Sequence, residues 1–482
     1  MALKTGNDYL RSMKSLDLKA HMLGQSTSDL DRHGLVTPSR RAVAYTFDAA
    51  HDPETRDLFC VESSLCKDVI NRFSHLHQGT EDLVNKVRMQ RLCGTGTACC
   101  FQRCVGMDAA NAIYSTTFEC DRKHKTPYHS RFKDYWAWVQ QQDLVVDGAM
   151  TDPKGDRGKR PKEQMDPDLF LRVSDRRSEG IVINGAKLHQ TGMLNSHEIL
   201  VMPTLTMRPG EEAWAVCCAV PTDAEGVRYI YGRQASDTRK LEKNTMDVGN
   251  PRFGGQEVMT VFEDVFVPHE RVFLNGEVDF SGIMVERFAA YHRQSYGGCK
   301  VGVGDSLIGA TALIARMNGV EKATHIKEKI VEMIHLNETL YACGIACSAT
   351  GEATPSGNYL VNMLLANVCK LNVTRFPYEI SRLATDVAGG LLGTMPSAAD
   401  LEDPVTGPYI RKYLATTPEV DVVDRMKVLR LIENMVAGAG AVGYLIESMH
   451  GAGPPAAQRI MIGRQADLEG KITKVKRMLD IP

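Results

Sequence analysis

The chain has 482 residues, more than one hydrophobic core accommodates, so two or three packed regions are expected. With 43% hydrophobic residues, 24% charged residues and a formal net charge of -2, it offers no field for nucleic acid or an anionic membrane, and neither partner is expected. Met1–Leu10 is polar and charged, unlike a secretory signal, and the apolar stretches are short or broken by Glu, Asp and Arg, so a soluble cytoplasmic protein is expected.

In chain order, residues 1–140 read as mainly helical. Ser64–Arg91 carries apolar residues at helical intervals, and Arg88–Asp108 continues with few breakers after Gly96. The texture changes at Asp147-Gly148 and through Thr151–Arg157, where turn signals gather. From there to about Leu274 the segments are short and β-like. Ile181-Val182-Ile183 runs into Asn184-Gly185, a two-residue hairpin signal, and Ile199–Met202, Trp214–Val220 and Val258–Val267 each stop at a proline. An antiparallel barrel or sandwich is predicted for residues 141–278. From Met284 the helical period returns, with Asp305–Arg316, Ile326–Cys347, Tyr359–Ala384 and Val423–Met449 predicted as four helices of a bundle over residues 279–482. Gly389–Pro408 is expected to be a long ordered loop.

Thirteen cysteines is an odd count in a chain without a secretion signal, which points to free thiols or metal ligands and away from a disulfide framework. Most are expected to be small core residues, so only spacing promotes any of them. Cys100 and Cys104 are separated by three residues, and on a helix they would share a face; Cys343 and Cys347 have the same spacing in an apolar helix, so spacing alone does not choose between the pairs. His292–Lys300 packs an imidazole, a phenol (Tyr296), a thiol (Cys299) and an amine (Lys300) into nine residues, and reads otherwise as a helix N-terminal segment with an incidental thiol. Three thiolates and one imidazole suit an iron–sulfur cluster or a tetrahedral zinc site. Asn184–Gly192 follows a strand and ends in groups that can donate to a flat heteroaromatic cofactor; alone, it is a hairpin with a polar end. Glu447 sits where a helix ends at Gly451, as a carboxylate base at a cleft edge or as a solvated residue near a helix cap. His75, His77 and His335 have no partners by spacing and are read as structural.

Together these segments resemble the 4-hydroxybutyryl-CoA dehydratase / vinylacetyl-CoA delta-isomerase family, a branch of the 4-hydroxyphenylacetate 3-monooxygenase group with the acyl-CoA dehydrogenase fold. The resemblance runs along essentially the whole chain and is most specific at Ala98–Asp108, Asp147–Arg157, Phe253–Glu257, Tyr291–Gly304 and Glu447–Gly453. It implies an α+β architecture with an N-terminal helical domain, a middle β-barrel and a C-terminal four-helix bundle. It implies a [4Fe-4S] cluster held by Cys100, Cys104, Cys299 and His292, which settles the choice between the two cysteine pairs by resemblance. Cys99, directly before Cys100, departs from that pattern and is read as a bystander, since consecutive helical residues point about 100° apart. FAD is implied between barrel and bundle, near Met150, Thr151, His189 and Thr191, with Thr191 bonding the isoalloxazine ring. Asp386–Gly390, including Gly389 and Gly390, resembles a segment that reaches a neighbouring subunit's flavin in a homotetramer.

The implied substrate is a CoA thioester that loses a C4 hydroxyl and an unactivated C3 hydrogen. Simple acid–base chemistry does not reach that hydrogen, so a radical route without net redox change is implied. His292 and Glu447 are the competing bases for the C2 proton, Tyr296 and Lys300 serve the leaving oxygen, and Glu257 orients groups around the site. A flavin-dependent aromatic hydroxylase of the same fold is the alternative, and a non-catalytic Cys3His zinc protein a third reading; the joint presence of Cys100, Cys104, His292 and Cys299 favours the dehydratase.

Overall fold

Alternating burial along Val227–Tyr231 and Glu257–Pro268 places these segments at the centre of a sheet with one face packed inward. The computed structural model describes residues 3–27, 29–235, 237–242 and 244–482. Six strands form the larger sheet, in the order Gln25–Thr27, Ala20–Met22, Val227–Tyr231, Glu257–Pro268, Gly180–Thr191 and Arg172–Arg176. All pairs are antiparallel except Ala20–Met22 with Val227–Tyr231. A second sheet runs Val272–Asn275, Val216–Pro221, Glu198–Val201, Val146–Ala149, with its last pair parallel. Ile181, Ile183 and Val265 of the first sheet share one apolar core with Ile199, Val201 and Val216 of the second.

Several elements differ from the sequence reading. Asn184-Gly185 is not a hairpin turn, because the strand Gly180–Thr191 runs straight through it. Gly185 takes φ +132°, where an added methyl would lie 2.5 Å from Leu171 Cα. The Asn184 side chain donates to Ser174 and Asp264 and accepts from the Asp264 amide, which pins a bulge in place of a turn. The N-terminal 140 residues are not wholly helical either. Ala20–Met22 and Gln25–Thr27 turn through Leu23 (φ 50°) and Gly24 (φ 83°) and join the large sheet, and Cys60–Glu62 pairs with Val69–Asn71. The helix expected from Ser64 therefore begins only at Thr80 and ends at Thr97.

In the last region a 40-residue helix, Val278–Met317, is the axis. The segment His292–Lys300 lies inside it and not at a helix start, so Gly297-Gly298 serves helix packing. A methyl at Gly297 would come within 2.6 Å of Gly344 Cα, and one at Gly298 within 2.5 Å of the Val87 carbonyl. This helix has the length and composition to cross a membrane, contrary to the sequence reading, but 67% of its apolar window is buried inside the molecule. Thr324–Ala349 packs beside it. The helix expected over Tyr359–Ala384 splits into Met363–Val373 and Phe376–Ala388, the second opening with Pro377 in its first turn. Val422–Val436 stops at Ala437-Gly438, and the chain resumes as a π-turn, Val442–Ile446, leading into Glu447–His450. The expected loop Gly389–Pro408 holds the helix Ala398–Glu402, capped by Ser397, and runs into the start of Gly407–Tyr413.

Candidate active site

Between the helix ending at Thr97 and the one starting at Cys104, the backbone turns through left-handed Ala98 (φ 50°) and Gln102 (φ 56°). Cys100 and Cys104 therefore do not share a helical face: Cys100 sits on a loop and Cys104 opens a helix. Gln102 fixes that loop, donating to the Gln256 carbonyl at 2.9 Å and accepting from Asn195 at 2.5 Å. These tethers join the cysteine loop to the strand end at Glu257. Cys99 turns its thiol back onto the Cys100 carbonyl at 3.6 Å.

On the 40-residue helix, His292, Tyr296, Cys299 and Lys300 recur at intervals of three, four and seven, so one face carries all four. Cys104 and Cys299 are neighbours, and Cys104, helped by Lys300 against burial, lowers the Cys299 thiol. Cys100 is pushed up by burial and by Glu447. A methyl at Gly443, in the π-turn, would meet Cys100 Cβ at 3.2 Å, so the loop and the turn are in contact. Among the described residues, no three His, Cys, Asp or Glu side chains converge tightly enough to hold a single metal ion. A cubane cluster makes a different demand, because each donor bonds its own iron and the donors surround a space in place of meeting at a point. Cys100, Cys104 and Cys299 act on one another in a buried region and His292 shares the helix face of Cys299, so the residue types present are those such a cluster takes.

Lys300, 2% exposed, donates to Glu447 at 2.5 Å and to the Gly443 carbonyl. Burial alone would lower its ammonium, but Glu447 and the thiols of Cys299 and Cys100 outweigh this and hold it well above the usual lysine range. The Thr191 hydroxyl donates to Glu257 at 2.6 Å and stands 3.4 Å from Glu447. Burial and the nearby Glu447 raise the Glu257 carboxyl well above its usual range, beside the ion-paired Glu447. Met150, Thr151 and Thr191 are partly exposed and His189 is exposed, while Ala149 and Gln190 beside them are buried. His189 is on left-handed backbone (φ 56°). Gly389 and Gly390 are exposed at the end of the helix Phe376–Ala388, with open space around them, and do not line this site within the chain.

Tyr296 is sandwiched by charge, with Lys300 Nζ 5.1 Å and Lys370 Nζ 4.9 Å from its ring centre. Its hydroxyl reaches Gly451 so closely that an added methyl would lie 1.9 Å from it. Gly451→Ala is therefore expected to displace Tyr296 and cut turnover at least about 10-fold while the chain still folds, checked by steady-state kinetics and circular dichroism. Lys370, fully buried, donates to the Ser448 carbonyl; burial, with Lys300 and Arg293 nearby, lowers its ammonium from 10.5 to about 7. The unfolded chain binds that proton more readily than the folded one between these values, so stability should rise with pH across them by up to about 1.4 kcal/mol per unit. Lys370→Met is expected to flatten that rise and to be the more stable protein near pH 7, as urea melts at pH 7 and 9.5 will show.

Sequence reasoning missed Asp108 and Lys86. Both have 0% side-chain exposure, and they form an ion pair at 2.5 Å. Asp108 also accepts from His292 Nδ1 at 2.8 Å and from Ser295 at 2.9 Å. Removing one partner of such a pair costs about 3–5 kcal/mol. Asp108 was legible only as the fourth residue after Cys104, on the same face of its helix.

The fold and the site define a chain built on the plan of the aromatic hydroxylase flavoproteins. The family models described as 4-hydroxyphenylacetate 3-hydroxylase, N terminal and C terminal, match residues 5–274 and 281–480. Within that group, the chain belongs to the 4-hydroxybutyryl-CoA dehydratase/vinylacetyl-CoA delta-isomerase family. It is 54% identical over 488 aligned residues to the 4-hydroxybutyryl-CoA dehydratase/vinylacetyl-CoA-Delta-isomerase of Clostridium aminobutyricum, covering 99% of this chain and 100% of that one. The structure of an oxygen-tolerant archaeal 4-hydroxybutyryl-CoA dehydratase from N. maritimus superposes with a TM-score of 0.98 at 52% identity, covering 100% of this chain and 96% of that one. The oxygenase component of 4-hydroxyphenylacetate 3-monooxygenase, solved with FAD, superposes with a TM-score of 0.87 at 20% identity, covering 99% and 98%, and shares the fold.

Proposed function

We propose that this chain dehydrates 4-hydroxybutyryl-CoA to crotonyl-CoA, and isomerises vinylacetyl-CoA to the same product, with FAD and a [4Fe-4S] cluster. The observation that carries the reading is that Cys100, Cys104 and Cys299 gather beside the Lys300–Glu447 pair, with His292 on the same face of the helix as Cys299 and the Thr191–Glu257 pair next to Glu447. When bound, the flavin supplies reversible one-electron chemistry and the cluster a Lewis-acidic iron. The three thiolates and His292 would hold the cluster, and Met150, Thr151, His189 and Thr191 would line the flavin, with the Thr191 hydroxyl donating to its ring.

The chain's own residues then divide the proton work. Glu447, ion-paired with Lys300, and His292 are the two groups placed to accept the C2 proton beside the thioester. Lys300 and Tyr296 face the region where the C4 oxygen leaves, and Lys300 keeps its proton there because Glu447 and the thiols favour the ammonium. Glu257 holds a proton beside Thr191 and orients it. A homotetramer with flavin sites at subunit interfaces is part of the reading. It is supported by the exposed Gly389-Gly390 segment and by the helix Leu468–Met478, which leaves Leu468 62% and Met478 78% exposed.

An anaerobic visible spectrum with iron, sulfide and zinc analysis tests the proposal. Flavin bands with a broad iron–sulfur shoulder and about four irons per chain, followed by crotonyl-CoA formation, are expected. Flavin without iron in protein never exposed to air would instead favour the aromatic hydroxylase.

A further inference from the structure

Asp108 is enclosed. One carboxylate oxygen receives Lys86 Nζ, and the other receives His292 Nδ1 and the Ser295 hydroxyl. Lys86 spends its remaining protons on the Tyr291 carbonyl at 3.1 Å and Gln294 Oε1 at 2.9 Å. A carboxylate only accepts, so His292 donates from Nδ1, and the imidazole lone pair is left on Nε2. Phe288 stacks on the imidazole at 5.5 Å with an interplanar angle of 15°, and Tyr296 meets its edge at 5.1 Å, so the ring plane is held as well as the tautomer.

We infer that Asp108 is the positioning residue of the iron–sulfur site: it fixes His292 in the tautomer that presents Nε2 to the cluster, with Lys86 as its buried ion-pair partner. The inference rests on the cluster reading above and adds to it a residue that touches neither iron nor substrate. The arrangement is the one by which a carboxylate orients a metal-ligating histidine. The Nδ1 bond to Asp108 and the stack on Phe288 would hold the ring in this orientation whether or not Nε2 is bound.

Two variants separate positioning from simple charge pairing. Asp108→Asn removes the carboxylate but leaves Lys86 buried without a counter-ion. Lys86→Gln/Asp108→Asn removes both charges and keeps a polar pair. Each is purified anaerobically beside the wild type and measured for thermal stability, iron retained against a chelator, and the nitrogen coupling of the reduced cluster in pulsed EPR. The double variant is expected to recover the stability lost in Asp108→Asn, yet to hold iron 10- to 100-fold less tightly than wild type and to show an altered nitrogen coupling. Wild-type iron retention and nitrogen coupling in the double variant would overturn the inference and leave the network as a structural ion pair. Iron-free wild type would instead overturn the cluster reading itself.

Discussion

Cys299→Ala is expected to yield a flavoprotein without iron that forms no crotonyl-CoA above background, while its neighbour in composition, Cys343→Ser, keeps both iron and turnover. Cys299 lies beside Cys104 and Lys300 on the buried face of the 40-residue helix, and these neighbours lower its thiol against burial. Losing one of four donors leaves one iron of the cluster without its protein ligand. Cys343 has the same spacing to Cys347 that Cys100 has to Cys104, but it lies on the helix Thr324–Ala349, with burial raising its thiol and Asn372 as its hydrogen-bond partner. Iron and sulfide analysis beside the flavin absorbance decides the matter. Unchanged iron in Cys299→Ala would mean that this thiol is not a ligand. Iron lost equally from Cys343→Ser would mean that the cluster sits elsewhere.

The contrast between those two pairs shows how much of the site was legible. Residue types and a resemblance led to Cys100, Cys104, His292 and Cys299, but the argument that Cys100 and Cys104 share a helical face was mistaken. Nothing in Cys100-Phe101-Gln102-Arg103-Cys104 breaks a helix by propensity. The break comes from Gln102, whose side chain is drawn to Gln256 and Asn195, each more than 90 residues away. The same limit hid Asp108 and Lys86: a charged residue on a helix usually reads as a solvated face, and only the meeting of two helices shows that this pair is buried. Asn184-Gly185 misled in the opposite direction, because its turn signal is local while the bonds from Asn184 to Ser174 and Asp264 that keep the strand running are not. Val278–Met317 was read only as a helical period returning from about Met284 and as the helix Asp305–Arg316, with the His292 segment as a helix start; its continuity shows only where Gly344 and Val87 pack against Gly297 and Gly298.

The two glutamates at the sheet–helix junction should respond in opposite ways to the same substitution. Glu447→Gln is expected to lower kcat about 10²–10⁴-fold, the usual worth of a positioned proton-transfer group, and also to lower stability, because the fully buried Lys300 loses its counter-ion. Glu257→Gln should behave differently. Burial and Glu447 push the Glu257 carboxyl up in the folded protein, and glutamine is the near-isostere of its protonated form. A carboxyl whose folded pKa lies above its unfolded value of 4.5 keeps a proton that the unfolded chain releases, so it costs stability increasingly as pH rises above about 4.5 and nothing well below it. Glu257→Gln is thus expected to be more stable than the parent at pH 7 to 8, with the advantage gone below about pH 4.5. Chemical denaturation of the anaerobic holoenzyme at pH 4.5 and 7.5 gives the sign directly. A stability loss at pH 7.5 would mean that Glu257 is ionised and that Thr191 donates to a carboxylate. A glutamine that stabilises the fold yet slows turnover would make Glu257 a proton donor to the reaction, working beside the Glu447–Lys300 pair, because the variant keeps the shape of the site and removes only the transferable proton.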